Sequence, residues 1–211
     1  MMAFITHCWK KARFDWTARL CCVWLTCVLA TTAQAQGVSP EVLSLQVERN
    51  ADSLLLSASV NFELPSTVED ALLKGVPVIF VSEVDVSRER WYWFDKKVIT
   101  SERHMRLMFQ PLTRRWRLTV GAGHITNNGL GVALNQNYDA LSDALAAIRR
   151  VSGWRIADMA DLVPGAAYRV DYRFRLDVSQ LPRPLQIGAI GQSDWMLSTA
   201  ASQRLMVESL R

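Results

Sequence analysis

Beyond Cys27 the sequence contains no cysteine: Cys8, Cys21, Cys22 and Cys27 all fall in the first 27 of its 211 residues. A chain that begins after that stretch can form neither a disulfide nor a thiolate metal site, which removes the cysteine-framed folds and the zinc ribbons. Histidine is nearly as scarce. His104 and His124 are the two beyond the N-terminal stretch, on different expected elements and without the close spacing of a local metal motif. No HExxH helix and no GxSxG elbow occurs. The glycines at Gly121, Gly123 and Gly129 lack the spacing of a phosphate loop, so that connection reads as a loop with a tight turn at Asn128-Gly129. No catalytic residue, cofactor or metal site is expected.

The first 35 residues differ from the rest. Lys10, Lys11, Arg13 and Arg19 precede the apolar run Leu20–Ala30, and Ala33-Gln34-Ala35 follows with small residues where a signal peptidase reads. The expectation is a secretory leader over 1–35, cut before Gln36, with export to the periplasm. The eleven-residue run from Leu20 to Ala30 would rise only about 16 Å as a helix, against roughly 30 Å of bilayer hydrocarbon, so no transmembrane helix is expected after cleavage. Removing the leader also takes four bases and Asp15 from the 24 bases and 20 acids of the whole chain, leaving 20 against 19. A nucleic-acid partner loses its electrostatic argument there.

What remains is 36–41 as a tether, 42–198 as one β-rich domain, and 199–211 as a tail in which a frayed helix is expected. Leu43, Leu45 and Val47 alternate with polar residues, and Leu54, Leu56, Ala58, Val60, Phe62 and Leu64 do so more cleanly, with Asn50-Ala51-Asp52 as the hairpin loop between. Ser66-x-x-Glu69 predicts a capping box that opens a helix through Lys74, and Gly75 is placed to end it. Val76 to Phe94 is period-two but too long for one strand, so a bend near Ser87–Arg90 is expected. Turns at 95–97 and 111–113 then frame strands 98–110 and 114–120. Tyr138 to Arg150 predicts a helix with Gly153 at its exit. Residues 168–178 alternate best of all, with Tyr168, Val170, Tyr172, Phe174, Leu176 and Val178 inward. The prolines of Leu181–Leu185 predict an extended crossing, and 187–190 and 195–198 the closing strands. Together these predict a mainly β fold, an antiparallel β-sandwich or partly closed barrel with two short helices.

The phrases RWYWFD at 90–95, RLMFQPLTRRWRL at 106–118 and LDVSQLPRPLQ at 176–186, with the helix-then-valine segment at 69–81, resemble a family of exported proteobacterial proteins described only as a domain of unknown function. The resemblance covers roughly Val42 to Ser198. It implies no activity, cofactor or catalytic residue. Members are often encoded beside a membrane-bound sensor kinase of the nitrogen-regulation type, and the resemblance implies no more than such a kinase as partner.

One constellation carries a functional claim. Arg88, Arg90, Trp91, Trp93, Arg106, Arg114, Arg115, Trp116 and Arg117 alternate along adjacent expected strands. Arginine stacks on tryptophan and grips carboxylate or phosphate in a fork, which suits an anionic envelope ligand or an acidic envelope protein. The competing reading puts the tryptophans in the core and pairs the arginines with Glu83, Asp85, Glu89 and Glu102. The two function classes are a non-catalytic binding or accessory module of the cell envelope, and a hydrolase or transferase acting on an envelope polymer.

Overall fold

The alternation along 53–61 sets the architecture, because it gives one strand a wholly apolar face that a second layer must cover. The computed structural model describes residues 39–92, 94–123, 133–183, 185–186 and 195–206. Strand β1 (Glu41–Arg49) pairs antiparallel with β2 (Ser53–Asn61) across the expected Asn50–Asp52 loop. Leu43, read as a core residue, is exposed instead. The register shifts between Val42 and Ser44, so Leu43 stands in a bulge and loses its place in the pleat.

Helix α1 (Ser66–Leu73) follows and buries Val68, Ala71 and Leu72. The expected capping box does not form: Pro65 is the N-cap, and its carbonyl accepts from the backbone of Val68 and Glu69. With Pro65 fixed at φ −59°, Ser66 already stands inside the helix, where its hydroxyl cannot cap. The exit does follow expectation. Gly75 sits at φ +80°, its N–H donates to Leu72 and that of Val76 to Ala71, the paired bonds of a Schellman motif.

Strand β3 (Val78–Arg88) then runs to the expected bend and stops, with a register irregularity at Val86/Ser87 against β4 (Lys96–Gln110). A turn at 111–114 leads into β5 (Arg115–Ala122). Strand β6 (Ala133–Tyr138) pairs with β5 and takes Tyr138, in register with Trp116, away from the helix expected there. Helix α2 (Leu141–Arg149) is correspondingly shorter and buries Ala144, Leu145 and Ile148.

Arg150 opens β7 (Arg150–Asp158) without a linker, and this strand pairs with β2. Periodicity missed it for a physical reason: two register shifts and Gly153 at φ +58° break the alternation, and Gly153 is a strand residue rather than a helix exit. A 3₁₀ turn (Met159–Asp161) leads to β8 (Ala167–Asp177). The segment after β8 is not extended as expected. Leu185 and Gln186 both donate to the carbonyl of Pro182, a helical turn headed by the one residue type whose missing N–H costs nothing there. The closing strand expected at 187–190 lies outside the described residues. Trp195 stands in a 3₁₀ turn rather than a strand. The tail, expected as a frayed helix, is β9 (Ser198–Met206), which pairs with β8 along its whole length.

Two antiparallel sheets result, ordered β1-β2-β7 and β6-β5-β4-β3-β8-β9, open rather than closed into a barrel. Between them lies one core, and Phe62, Phe80 and Phe174 join it from the end of β2, β3 and β8 respectively, with ring centroids 5.2–5.9 Å apart. Among the described residues every core residue falls between Val42 and Leu205, and Val38–Arg211 forms a compact unit. That unit therefore has a hydrophobic core of its own on which to fold. No helix among the described residues is long and apolar enough to cross a membrane.

Candidate functional site

Pairing register decides which candidate side chains share a face. Val78, Phe80, Val84 and Val86 of β3 point into the core, so Glu83 and Asp85 point out. Opposite that outer row of β3 stand Arg106, His104, Glu102 and Thr100 of β4, and Arg173 and Asp171 of β8. Glu83 pairs with Arg173 at 3.5 Å, and Asp85 with Lys97 at 2.7 Å and Thr100 at 2.8 Å. Partial burial raises the Asp85 carboxyl, but the hydrogen bonds and charges of Lys97, Thr100 and Arg173 outweigh it and hold the pKa below 3.8. Asp177 is lowered in the same way: burial raises it, and Ser179, Gln180 and Arg175 more than reverse that.

The acids expected to pair with the arginine cluster are thus engaged elsewhere. Glu89 binds Arg169 and Arg204, and Glu102 binds the buried His104 at 3.1 Å. Of the cluster, Arg115 pairs with Asp139 at 3.2 Å, while Arg88, Arg90, Arg114 and Arg117 enter no ion pair among the described residues. His124 lies outside the described residues. Among those residues no group of histidines, cysteines or acids could hold a metal.

The nine candidates do not form one surface. Strand β4 is 15 residues long, about 48 Å in extended geometry, and the cluster is divided between its two ends. At the β3–β4 end, Trp91, Tyr92 and Phe94 are 93%, 70% and 87% exposed beside the half-buried Arg88 and Arg90. Trp93 lies outside the described residues. At the β4–β5 end the ring and the cations part company. Trp116 is 6% exposed and packs on Phe109 with centroids 4.8 Å apart, inside the sandwich. Arg115 and Arg117, of opposite parity, point out. Arg114 occupies the turn at φ +53°, a left-handed position rare for a residue with a Cβ.

On the outer face at that end, Arg117 of β5 lies opposite Met108, and Arg106 of β4 opposite Thr119, so the two arginines are diagonal neighbours. A shallow cavity of about 220 Å³ opens there, lined by Arg106, Met108, Arg117, Thr119 and Asn135. Its lining holds two guanidinium groups and no carboxylate. Arg117 is oriented by amides: with its oxygen turned toward Arg117, Gln110 accepts from Nη1 and Nη2 at 3.3 and 3.1 Å, and Asn137 accepts from Nε at 3.5 Å. Thr119 donates to Asn135 Oδ1 at 2.7 Å, which fixes that amide with its nitrogen as the free end. Neutral partners hold the Arg117 fork in place without cancelling its charge. The sequence reading missed Met108, Thr119, Asn135 and the orienting Gln110. Their alternation was visible, but the strand register that brings them beside Arg117 was not.

A second cavity, of about 260 Å³, is lined by Ile99, Arg155, Ile156, Ala157, Asp158 and Asp161. Its two acids come from one end of β7 and the turn after it, and Asp158 is tied to Arg155. On the inner face, Ser82 Oγ and Tyr172 Oη lie 3.1 Å apart near the half-buried Arg103. Burial raises the Tyr172 hydroxyl and lowers Arg103, each partly offset by other groups.

Comparison with known proteins places the chain in a family. A family model described as a domain of unknown function, DUF4390, matches residues 39–205. No curated protein and no solved structure matches the chain.

Proposed function

We propose, from the premise that the chain belongs to this family of unknown function, that it is a non-catalytic binding or accessory module of the bacterial cell envelope. Its ligand is an anionic group, carboxylate or phosphate, seated on the outer face where β4, β5 and β6 meet. The observation that carries this reading is the cavity lined by Arg106 and Arg117, polar donors and no acid. Arg106 and Arg117 line the same cavity from diagonal positions, and an anion seated there takes charge-assisted hydrogen bonds from guanidinium groups. The leader pattern of residues 1–35 supports the envelope as the place. The sensor kinase implied by the resemblance is one partner able to present such a group. A hydrolase or transferase acting on an envelope polymer draws less support, since catalysis by carboxylates needs two that flank a substrate, and Asp158 and Asp161 share one stretch with Asp158 already ion-paired.

The test is a nuclear magnetic resonance titration of residues 38–211 with inorganic phosphate. Shifts should gather on Met108, Thr119 and Asn135, weaken as sodium chloride is raised, and vanish in Arg117→Gln. Shifts that survive Arg117→Gln, or none at all at millimolar phosphate, would leave these arginines as ordinary solvated strand residues.

A further inference from the structure

The other end of β4 carries a second feature that the anion shelf does not use. Trp91, Tyr92 and Phe94 stand almost fully in solvent, whereas Phe62, Phe80, Tyr168, Tyr172 and Phe174 are each buried in the core. A ring of this kind buries about 150–250 Å² when it finds a partner. Trp91 and Tyr92 stack edge to face, with centroids 5.1 Å apart. Rings this exposed project from the surface as a tip.

The base of that tip is clamped while its charge is left biased. The Glu89 N–H donates to Ala167 O at 2.9 Å. Its carboxylate takes Arg169 at 3.2 Å and Arg204 at 2.9 Å, and Asp95 takes Arg169 at 3.5 Å. Both acids of the connection are therefore neutralised by the body of the sheet. Arg88, Arg90 and Lys96 flank the rings and enter no ion pair among the described residues. Lys97 is held by Asp85.

We infer that the 89–95 connection docks the protein onto an anionic lipid bilayer, with Trp91, Tyr92 and Phe94 entering the headgroup boundary and Arg88, Arg90 and Lys96 meeting lipid phosphates. The chemistry favours a bilayer over a protein pocket. Tryptophan and tyrosine carry an apolar body and a polar tip, which suits a boundary between water and hydrocarbon. A soft planar surface accepts a projecting tip without a complementary hollow. Cations around the rings that enter no ion pair among the described residues add attraction to a negative surface within a Debye length.

Vesicle sedimentation of residues 38–211 tests this, using phosphatidylcholine alone and phosphatidylcholine with one-quarter phosphatidylglycerol. Binding should require the anionic lipid. Replacing Arg88 and Arg90 together by glutamine should weaken it about thirtyfold, and Trp91→Ser with Tyr92→Ser should abolish it. Since these rings are exposed, the thermal melt of each variant should match the parent's. As a second readout, a fluorescent amino acid placed at position 92 should be quenched by brominated lipid, and the same probe at the fully exposed Leu112 should not. Arg117→Gln should bind vesicles normally, which separates this docking from the anion shelf. Absence of vesicle binding, equal binding by the double-serine variant, or equal quenching at 92 and 112 would overturn the inference. Capture by a lipid-free envelope protein through the same rings would overturn it in favour of a protein partner.

Discussion

The two ends of β4 are built from the same residue types and put them to opposite use. At Arg115–Arg117 the strand continues through the pleat, so parity sends Trp116 into the core and the arginines out. At Glu89–Asp95 the strand has ended, parity no longer applies, and the rings project with the cations beside them. An arginine–tryptophan phrase therefore says little until it is known whether the backbone beneath it is still paired. The β4–β5 end is a fixed platform. The β3–β4 end is a tip whose position depends on the Glu89 and Asp95 ion pairs.

The largest effect that would break this comparison is a difference between tryptophans. Trp116→Ala should destabilise the protein by about 3–5 kcal/mol, as expected for truncating a buried ring, while Trp91→Ala should stay within about 0.5 kcal/mol. Urea unfolding followed by circular dichroism measures both. Similar losses in the two variants would mean that the tip is packed after all.

Acid should act next, through the carboxylates that anchor the outer face. Hydrogen bonds and neighbouring cations hold Asp85 and Asp177 below the ordinary carboxylate value of 3.8 in the folded protein, so in acid the unfolded chain takes up protons before the folded one. Stability is then full above that ordinary value and falls as pH drops through the folded value. Asp85→Asn should lower stability at neutral pH and flatten the decline below about pH 4. Melting curves across that range check it, and an unchanged acid slope would contradict it.

Glu89→Gln should cost about 1 kcal/mol, since its partners Arg169 and Arg204 remain partly solvated. Its sharper consequence is local. Chymotrypsin should cut at the rings of the tip faster in this variant, with the cores of the two sheets untouched, and an unchanged cleavage rate would show that the clamp does not hold the tip.

At the far turn the expected effect is smallest and opposite in sign. Arg114→Gly should stabilise by about 0.5–1 kcal/mol, because glycine accepts φ +53° without the steric cost that arginine carries there. Thermal melts decide it, and a loss would show that the Arg114 side chain makes a contact worth more than that strain.

Much of the fold was legible because alternation is a direct imprint of a two-sided sheet: β2, β3 and β8 followed from it, with α1 and its Gly75 exit. Elements were missed where the pleat is interrupted. Gly153 and two register shifts hide β7, and Leu43 falls in a bulge. Alternating small and polar residues in β9, Thr199-Ala200-Ala201-Ser202, carry too little hydrophobic contrast to mark a strand that is defined by pairing with β8. The candidate site was legible as composition and not as geometry. Arg106 and Arg117 were visible, but their meeting with Thr119 and Asn135 depends on register across three strands, which no single segment encodes.

The central claim is that the platform receives an anion between Arg106 and Arg117. Crystals of residues 38–211 soaked with tungstate, a heavy tetrahedral oxyanion, test it by anomalous scattering. The account predicts a peak within hydrogen-bonding reach of both guanidinium groups, absent in Arg117→Gln crystals. A peak at Arg88 and Arg90 with none at the platform would contradict it.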